Sequence, residues 1–282
     1  MRIFLAVPDS KPFIKIIQEE NGENILFSFA FVKSIDKVKK LFGDYNPKNI
    51  IVDSGAFSVW SKGDFIDIDA YAEFCKEVKA FFLPETDISF VNLDVLPGQF
   101  GRIPTEQERE DSARQGWENM LYLESKGLKV IPVFHQYESF DWLHKMMQHT
   151  DYIGISPAND ASSVSKQSWL KNVFMITRDK IKTHGFAVTG YQQIITYPFF
   201  SVDSSSWASG GRFARIPLII NGKIKSFNFK HKEDLMKYWN YLPDHAKNIL
   251  ESYFDRIRIG VISFIQLQKF ITELWSKRGI NW

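Results

Sequence analysis

A chain of 282 residues that is 44% hydrophobic and 24% charged has the make-up of a globular protein, folded as one large domain or two small ones. Its formal net charge of +2 is too small to mark nucleic-acid binding, so such a site has to be a local patch. The single cysteine, Cys75, excludes an internal disulfide and any multi-cysteine zinc site.

Cys75 lies in the helix-like YAEFCKEV and reads as a buried structural thiol. The start, MRIFLAVPDSK, lacks the long apolar core of a signal peptide, and no run approaches the ~18 apolar residues of a membrane span. A cytoplasmic protein without a membrane partner is expected.

Eight short apolar segments follow one another: RIFLAV near residue 3, NILFSFA near 25, NIIVD ending at Asp53, SFVNLD ending at Asp94, KVIPVF ending at Phe134, YIGIS ending at Ser156, HGFAV ending at Val188, and FFSVD ending at Asp203. Each reads as a buried strand. Most intervals are amphipathic, and PTEQEREDSARQGWENMLYLESKG is the clearest helix, with a Thr105–Glu108 capping box and Gly127 as its stop. Strands alternating with helices predict a parallel sheet, and eight repeats predict an α/β fold of the (β/α)8 TIM-barrel type. After Asp203 the pattern changes to a Gly-rich loop and a hairpin turning at Asn221-Gly222, then to helix-like sequence from about residue 230. The expected division is a barrel over 1–228 and a C-terminal helical appendage, 229–282, packed on it.

Barrel chemistry sits at the C-terminal ends of the strands. Three strands run out at aspartates there: Asp53, Asp94 and Asp203. A carboxylate in such a place needs a partner or a task, since burying it alone is costly. In DSGAFSVW, Gly55 permits a close backbone approach and Phe57 can stack on a planar ligand, the competing reading being an ordinary helix-capping loop. Asp94 can accept two N–H bonds from a base edge, or simply anchor its loop. Alternation sends His135 and Gln136 to opposite sides, and Gln136, able to donate and accept, is the expected reader. Gly154 and Ser156 offer backbone and hydroxyl groups, unless Gly154 only relieves crowding. His184 and Gly185 can cover a flat ligand's other face. Asp203, before three serines, suits a nucleophile, and the glycine-flanked Arg212 and Arg215 suit a phosphate backbone.

Taken in order from Asp53 to about Gly222, these motifs resemble the tRNA-guanine transglycosylase family, most of all its phage and bacterial DNA-guanine transglycosylases. A DSGGF-like motif there carries the acid/base aspartate and a stacking aromatic, matching Asp53 and Phe57. An FDE-like strand end matches Asp94, an IQQG-like one Gln136, a Gly-Gly-Leu segment Gly154 to Ser156, and a Met-Gly-Val-Gly segment His184 to Ala187. The nucleophile before an Arg/Gly loop matches Asp203. The chain departs from the family at Ala56 and Ser58, in its broken Gly-Gly pair, and in lacking the Cys/His zinc site.

The resemblance implies exchange of guanine in DNA for a 7-deazaguanine such as preQ0, through a covalent aspartyl-deoxyribose intermediate, with no cofactor or metal. Asp203 would be the nucleophile and Asp53 the proton shuttle. Partners would be DNA, less readily tRNA, and the free 7-deazaguanine base; a homodimer or accessory modification proteins are compatible with it. The alternatives are a tRNA-guanine transglycosylase, a non-catalytic purine- or nucleic-acid-binding barrel, and a barrel hydrolase using the same carboxylates.

Overall fold

The computed structural model describes residues 1–282 except 100–101, 159–160, 210–212, 214, 222, 229–232, 234–235, 243 and 245–251. Its parallel strands are β1 (Arg2–Ala6), β2 (Asn24–Ser28), β3 (Asn49–Asp53), β4 (Asp87–Val91), β5 (Val130–Ile131), β6 (Val133–His135), β7 (Tyr152–Ser156), β8 (Lys182–Gly185) and β9 (Ser201–Ser204). They hydrogen-bond in the order β5-β4-β3-β2-β1-β9-β8-β7-β6. β5 and β6 are halves of one stave broken at Pro132, which has no N–H to give a ladder. Val130 pairs with Phe90 on one side and Val133 with Gly154 on the other. Across the break, the Gly154 N–H donates to the Pro132 carbonyl at 2.7 Å. The order is therefore a ring of eight staves, the (β/α)8 barrel the eight apolar segments predict.

Period-two alternation sorts the side chains. Phe4, Leu26, Ile51, Val91, Ile131, Val133, Tyr152 and Phe200 form one cluster inside the ring. Their neighbours, such as Ile3, Ile25, Val52, Phe134 and Ile153, join the larger core beneath the helices. That parity carries on to the strand ends and turns Asp53, His135 and Ser156 inward, while register brings in the other two, His184 opposite Gly154 and Asp203 opposite the inward Phe4.

The outer layer holds α1 (Lys11–Glu19), α2 (Ile35–Phe42), the short α3 (Ala56–Trp60), α4 (Ile68–Phe81), α5 (Glu106–Ser125), α6 (Phe140–His149), α7 (Ser163–Thr177) and α8 (Tyr191–Thr196). The capping box at α5 is present: the Thr105 N–H donates to Glu108 at 2.7 Å and the Glu108 N–H to the Thr105 hydroxyl at 3.2 Å. Gly127 follows that helix at φ 81. The antiparallel hairpin β10 (Arg215–Ile220) and β11 (Lys223–Asn228) pairs Ile220 with Lys223, as a two-residue turn at Asn221-Gly222 requires; Gly222 itself lies outside the described residues.

The last helix, α9 (Tyr253–Lys277), differs from the expected appendage in its position. It fills the place of the barrel's eighth helix, between α8 and α1. Arg258 pairs with Glu19 and Glu20 at the end of α1, and the Trp275 indole donates to the Ile194 carbonyl of α8 at 2.9 Å. Gln268 accepts from the Ile3 N–H at 2.6 Å and from Asn24 at 2.8 Å, tying α9 to the N-terminal face of the barrel. The sequence of a helix does not say which slot it fills when a hairpin intervenes. Of the helical stretch expected over 232–242, only the 3-10 turn Trp239–Tyr241 is a described element.

α9 packs closely on the turn after β9 at Gly260, where a methyl group would overlap the Trp207 carbonyl. Gly260→Ala is therefore expected to destabilise the fold by roughly 1–3 kcal/mol through overpacking, despite alanine's ~1 kcal/mol advantage in helix propensity. A lowered denaturation midpoint checks it.

Candidate functional site

The mouth of the barrel holds a cleft of about 220 Å³ lined by Asp53, Phe57, Asp94, His135, Ser156, Phe186, Ala187 and Asp203, among others. Its volume is below the ~300–1,000 Å³ of drug-sized sites, so it suits a small molecule. The three aspartates, distant in sequence, come together here.

Asp53 ends β3, and the backbone then turns through Gly55 at φ 80. Only glycine takes that conformation readily, and a Cβ there would also lie 2.6 Å from the Ser28 hydroxyl. The turn starts α3, which carries Phe57, 42% exposed, to the rim. Burial lifts the Asp53 carboxyl to about 7, and the charges of Asp94 and Asp203 add to the rise; hydrogen bonds from Ser28 and the Gly55 N–H only partly oppose it.

Asp94 lies three residues beyond the end of β4 at Val91, and not at the strand end the apolar run suggested. Its Oδ2 is 2.7 Å from the Nε2 of His135, with both side chains nearly buried. Burial alone would lower the His135 imidazole. The Asp94 carboxylate, aided by Glu138, outweighs it and holds the ring at about 9. Glu138, whose carboxylate accepts the backbone N–H of His135 at 3.0 Å, is itself pushed up to about 7, chiefly by burial. Removing the partner should reverse the balance at His135. Asp94→Asn is expected to bring its titration below its ordinary 6.5, measured by NMR. In the unaltered protein the pair stabilises the fold fully below about 6.5, and that contribution is lost as pH rises through about 9.

His135, and not the expected Gln136, faces the cleft. Gln136 points outward, its amide donating to Ser165 at 3.0 Å and its carbonyl accepting the Ala158 N–H at 3.1 Å. The amide thus ties the loop after β7, at Ala158, to the first turn of α7, at Ser165. His184 is also placed differently from expectation. It is fully buried beneath the cleft, so it cannot lie on a ligand's face. Phe186 lines the cleft in its stead. The reason lies in the end of the strand: β8 stops at Gly185, not at Val188, and leaves Phe186 in the loop.

Gly154 gives Phe186 its room, for a Cβ there would come within 2.5 Å of the ring. Gly185 likewise makes way for Phe199, at 2.8 Å from a built Cβ. Both glycines act through sterics, and neither lines the cleft, whereas Ser156 does. Asp203, on β9, accepts at Oδ1 the N–H of Ala187 at 2.9 Å. Ala187 itself takes a positive φ of 53. Arg215 is exposed on β10 opposite Asn228, outside the cleft lining. Arg212 lies outside the described residues. Among the described residues no cluster of three or more His, Cys, Asp or Glu could hold a metal ion, and no helix is long and apolar enough to cross a membrane.

No protein-family model matches the chain, and no curated protein matches it. The tryptophan synthase alpha chain from Legionella pneumophila subsp. pneumophila is similar in structure over 96% of this chain and 91% of its own, with a TM-score of 0.50 and 9% identity. A native KDPGal structure is similar over 97% of both chains, with a TM-score of 0.49 and 8% identity. At 9% identity the likeness to the alpha chain is one of fold. Fold and site together define a (β/α)8 barrel whose mouth is a small cleft of three aspartates, one histidine and two aromatic rings.

Proposed function

We propose that the protein is an enzyme that exchanges guanine in DNA for a 7-deazaguanine base. The observation that carries this reading is the raised carboxyl of Asp53, at about 7, in one small cleft with the carboxylates of Asp94 and Asp203 and the rings of Phe57 and Phe186. Glycosidic base exchange needs this division of labour: a nucleophile, a proton carrier that titrates near neutrality, and walls for a flat base.

The Asp203 carboxylate attacks C1′ of the deoxyribose as the C1′–N9 bond breaks. The bonding electron pair leaves with guanine, and Asp53 delivers a proton to the departing base. Asp53 then takes a proton from the incoming base, whose nitrogen displaces Asp203 from C1′. Asp94, held by His135, accepts N–H bonds from the base edge, a task expected of Asp94 with Gln136 and here given to Asp94 with His135. Phe57 and Phe186 flank the base. Since duplex stacking hides C1′ and the base edge, the target nucleotide has to turn out of the helix to enter a barrel mouth.

The test is incorporation of labelled guanine into DNA and, in parallel, into tRNA. Label entering DNA supports the reading; label entering tRNA alone moves the substrate to tRNA; release of free guanine without uptake points to a hydrolase; binding of base without exchange points to a non-catalytic barrel.

A further inference from the structure

Behind the cleft, a buried polar chain crosses the barrel interior from Tyr152 to Asp203. The Tyr152 hydroxyl is 2.5 Å from the Ser201 hydroxyl, and that hydroxyl is 2.7 Å from Nδ1 of His184. The other ring nitrogen, Nε2, is fully buried, has no hydrogen-bond partner among the described residues, and lies 3.5 Å from Oδ1 of Asp203. Phe4, Tyr152 and Phe186 all stand edge-on to the imidazole, with ring centroids 5.9, 6.5 and 4.6 Å away, so the ring cannot turn freely.

The hydrogens in this chain have one satisfying arrangement. Burial raises the Tyr152 phenol, which therefore keeps its hydrogen. Its described acceptor is Ser201, and a buried donor without an acceptor is costly. With Tyr152 donating to Ser201, the Ser201 hydrogen goes to Nδ1 of His184. An Nδ1 that accepts leaves the ring's own hydrogen on Nε2, facing Asp203. A separation of 3.5 Å leaves no room for a water between, and catalytic contacts of this length commonly tighten once substrate binds.

We propose that His184 is a positioning residue for Asp203: the Tyr152–Ser201 relay fixes its hydrogen on Nε2, directed at Oδ1, and leaves Oδ2 as the attacking oxygen. The second half of this rests on the base-exchange reading. Oδ1 already accepts the Ala187 N–H, and His184 Nε2 stands 3.5 Å away on a second side, close enough to donate once the contact tightens. Oδ2 then forms the bond to C1′ while the C1′–N9 electron pair leaves with the protonated base. Oδ1 becomes the ester carbonyl oxygen and keeps both N–H groups, so the aspartyl intermediate is held as the carboxylate was. Return attack by the incoming base restores the carboxylate without moving either donor.

Two measurements test this. The first is the ¹⁵N spectrum of the histidines in the unaltered protein, with His184 assigned by its loss in His184→Gln. The expected signature is hydrogen on Nε2; hydrogen on Nδ1 overturns the proposal whether or not the protein exchanges bases. The second is steady-state exchange of labelled guanine by His184→Phe and His184→Gln. Loss of one preorganised donor is expected to lower kcat about 100-fold with KM unchanged, and the glutamine amide should restore part of it. A His184→Phe protein that folds and keeps the wild-type kcat overturns the proposal. If the unaltered protein exchanges no base while its spectrum shows hydrogen on Nε2, the base-exchange reading fails and the orientation of His184 toward Asp203 stands.

Discussion

Asp203→Asn is expected to lower guanine exchange by about four orders of magnitude or more, the scale on which removing a covalent nucleophile acts, while leaving the fold intact. Asparagine has the shape of aspartate, and its carbonyl oxygen can still accept the Ala187 N–H that Oδ1 accepts at 2.9 Å. What it lacks is the charge and the lone pair that form the bond to C1′. The unaltered protein, denatured during turnover, should carry a DNA adduct on Asp203 that the variant lacks. Equal circular dichroism and melting of the two proteins would show that the lost rate is chemical.

Asp53→Asn is expected to have two effects of opposite sign. Exchange should fall sharply, because an amide cannot carry the proton in either half of the reaction. Stability at pH 8 should rise. In the unfolded chain this carboxyl titrates near 3.8, whereas in the fold it holds its proton to about 7. Between those two values the folded state binds more protons than the unfolded one. Raising pH across that window therefore weakens the fold through this group, and above about 7 the full penalty of a buried carboxylate beside Asp94 and Asp203 is present. At 1.36 kcal/mol per pKa unit the penalty is at most about 4 kcal/mol. The amide of the variant carries no such charge, so the variant should melt higher than the unaltered protein at pH 8 and show no advantage at pH 4. Together the two effects describe a residue kept at a cost to stability, as functional carboxyls often are.

The barrel and its two strand-end aspartates were legible because they follow from simple alternation. Eight apolar runs give eight staves, and Asp53 and Asp203 close two of them; parity from the inward Ile51 turns Asp53 in, and Asp203 faces in opposite the inward Phe4. The rest depended on parity that buried strands hide. KVIPVF is apolar on both faces, so nothing in it tells whether His135 or Gln136 continues the inward row; the inward Ile131 and Val133 decide for His135. In HGFAV the apolar run outlasts the strand, which ends at Gly185, and so Phe186 rather than His184 lines the cleft. Asp94 is a second such overrun: the run SFVNLD continues past Val91 into the loop, and only the pairing with His135 reveals what fixes the carboxylate. The slot of α9 is a long-range property, set by Arg258, Gln268 and Trp275, and no local pattern carries it.

The most direct measurement is mass spectrometry of the nucleosides in DNA incubated with the protein and a free 7-deazaguanine base. The predicted result is a deoxynucleoside of the deazaguanine in the digest, with an equal amount of free guanine released and neither formed by Asp203→Asn. DNA that returns with unaltered nucleosides, or that loses guanine without gaining the deazaguanine, would contradict base exchange.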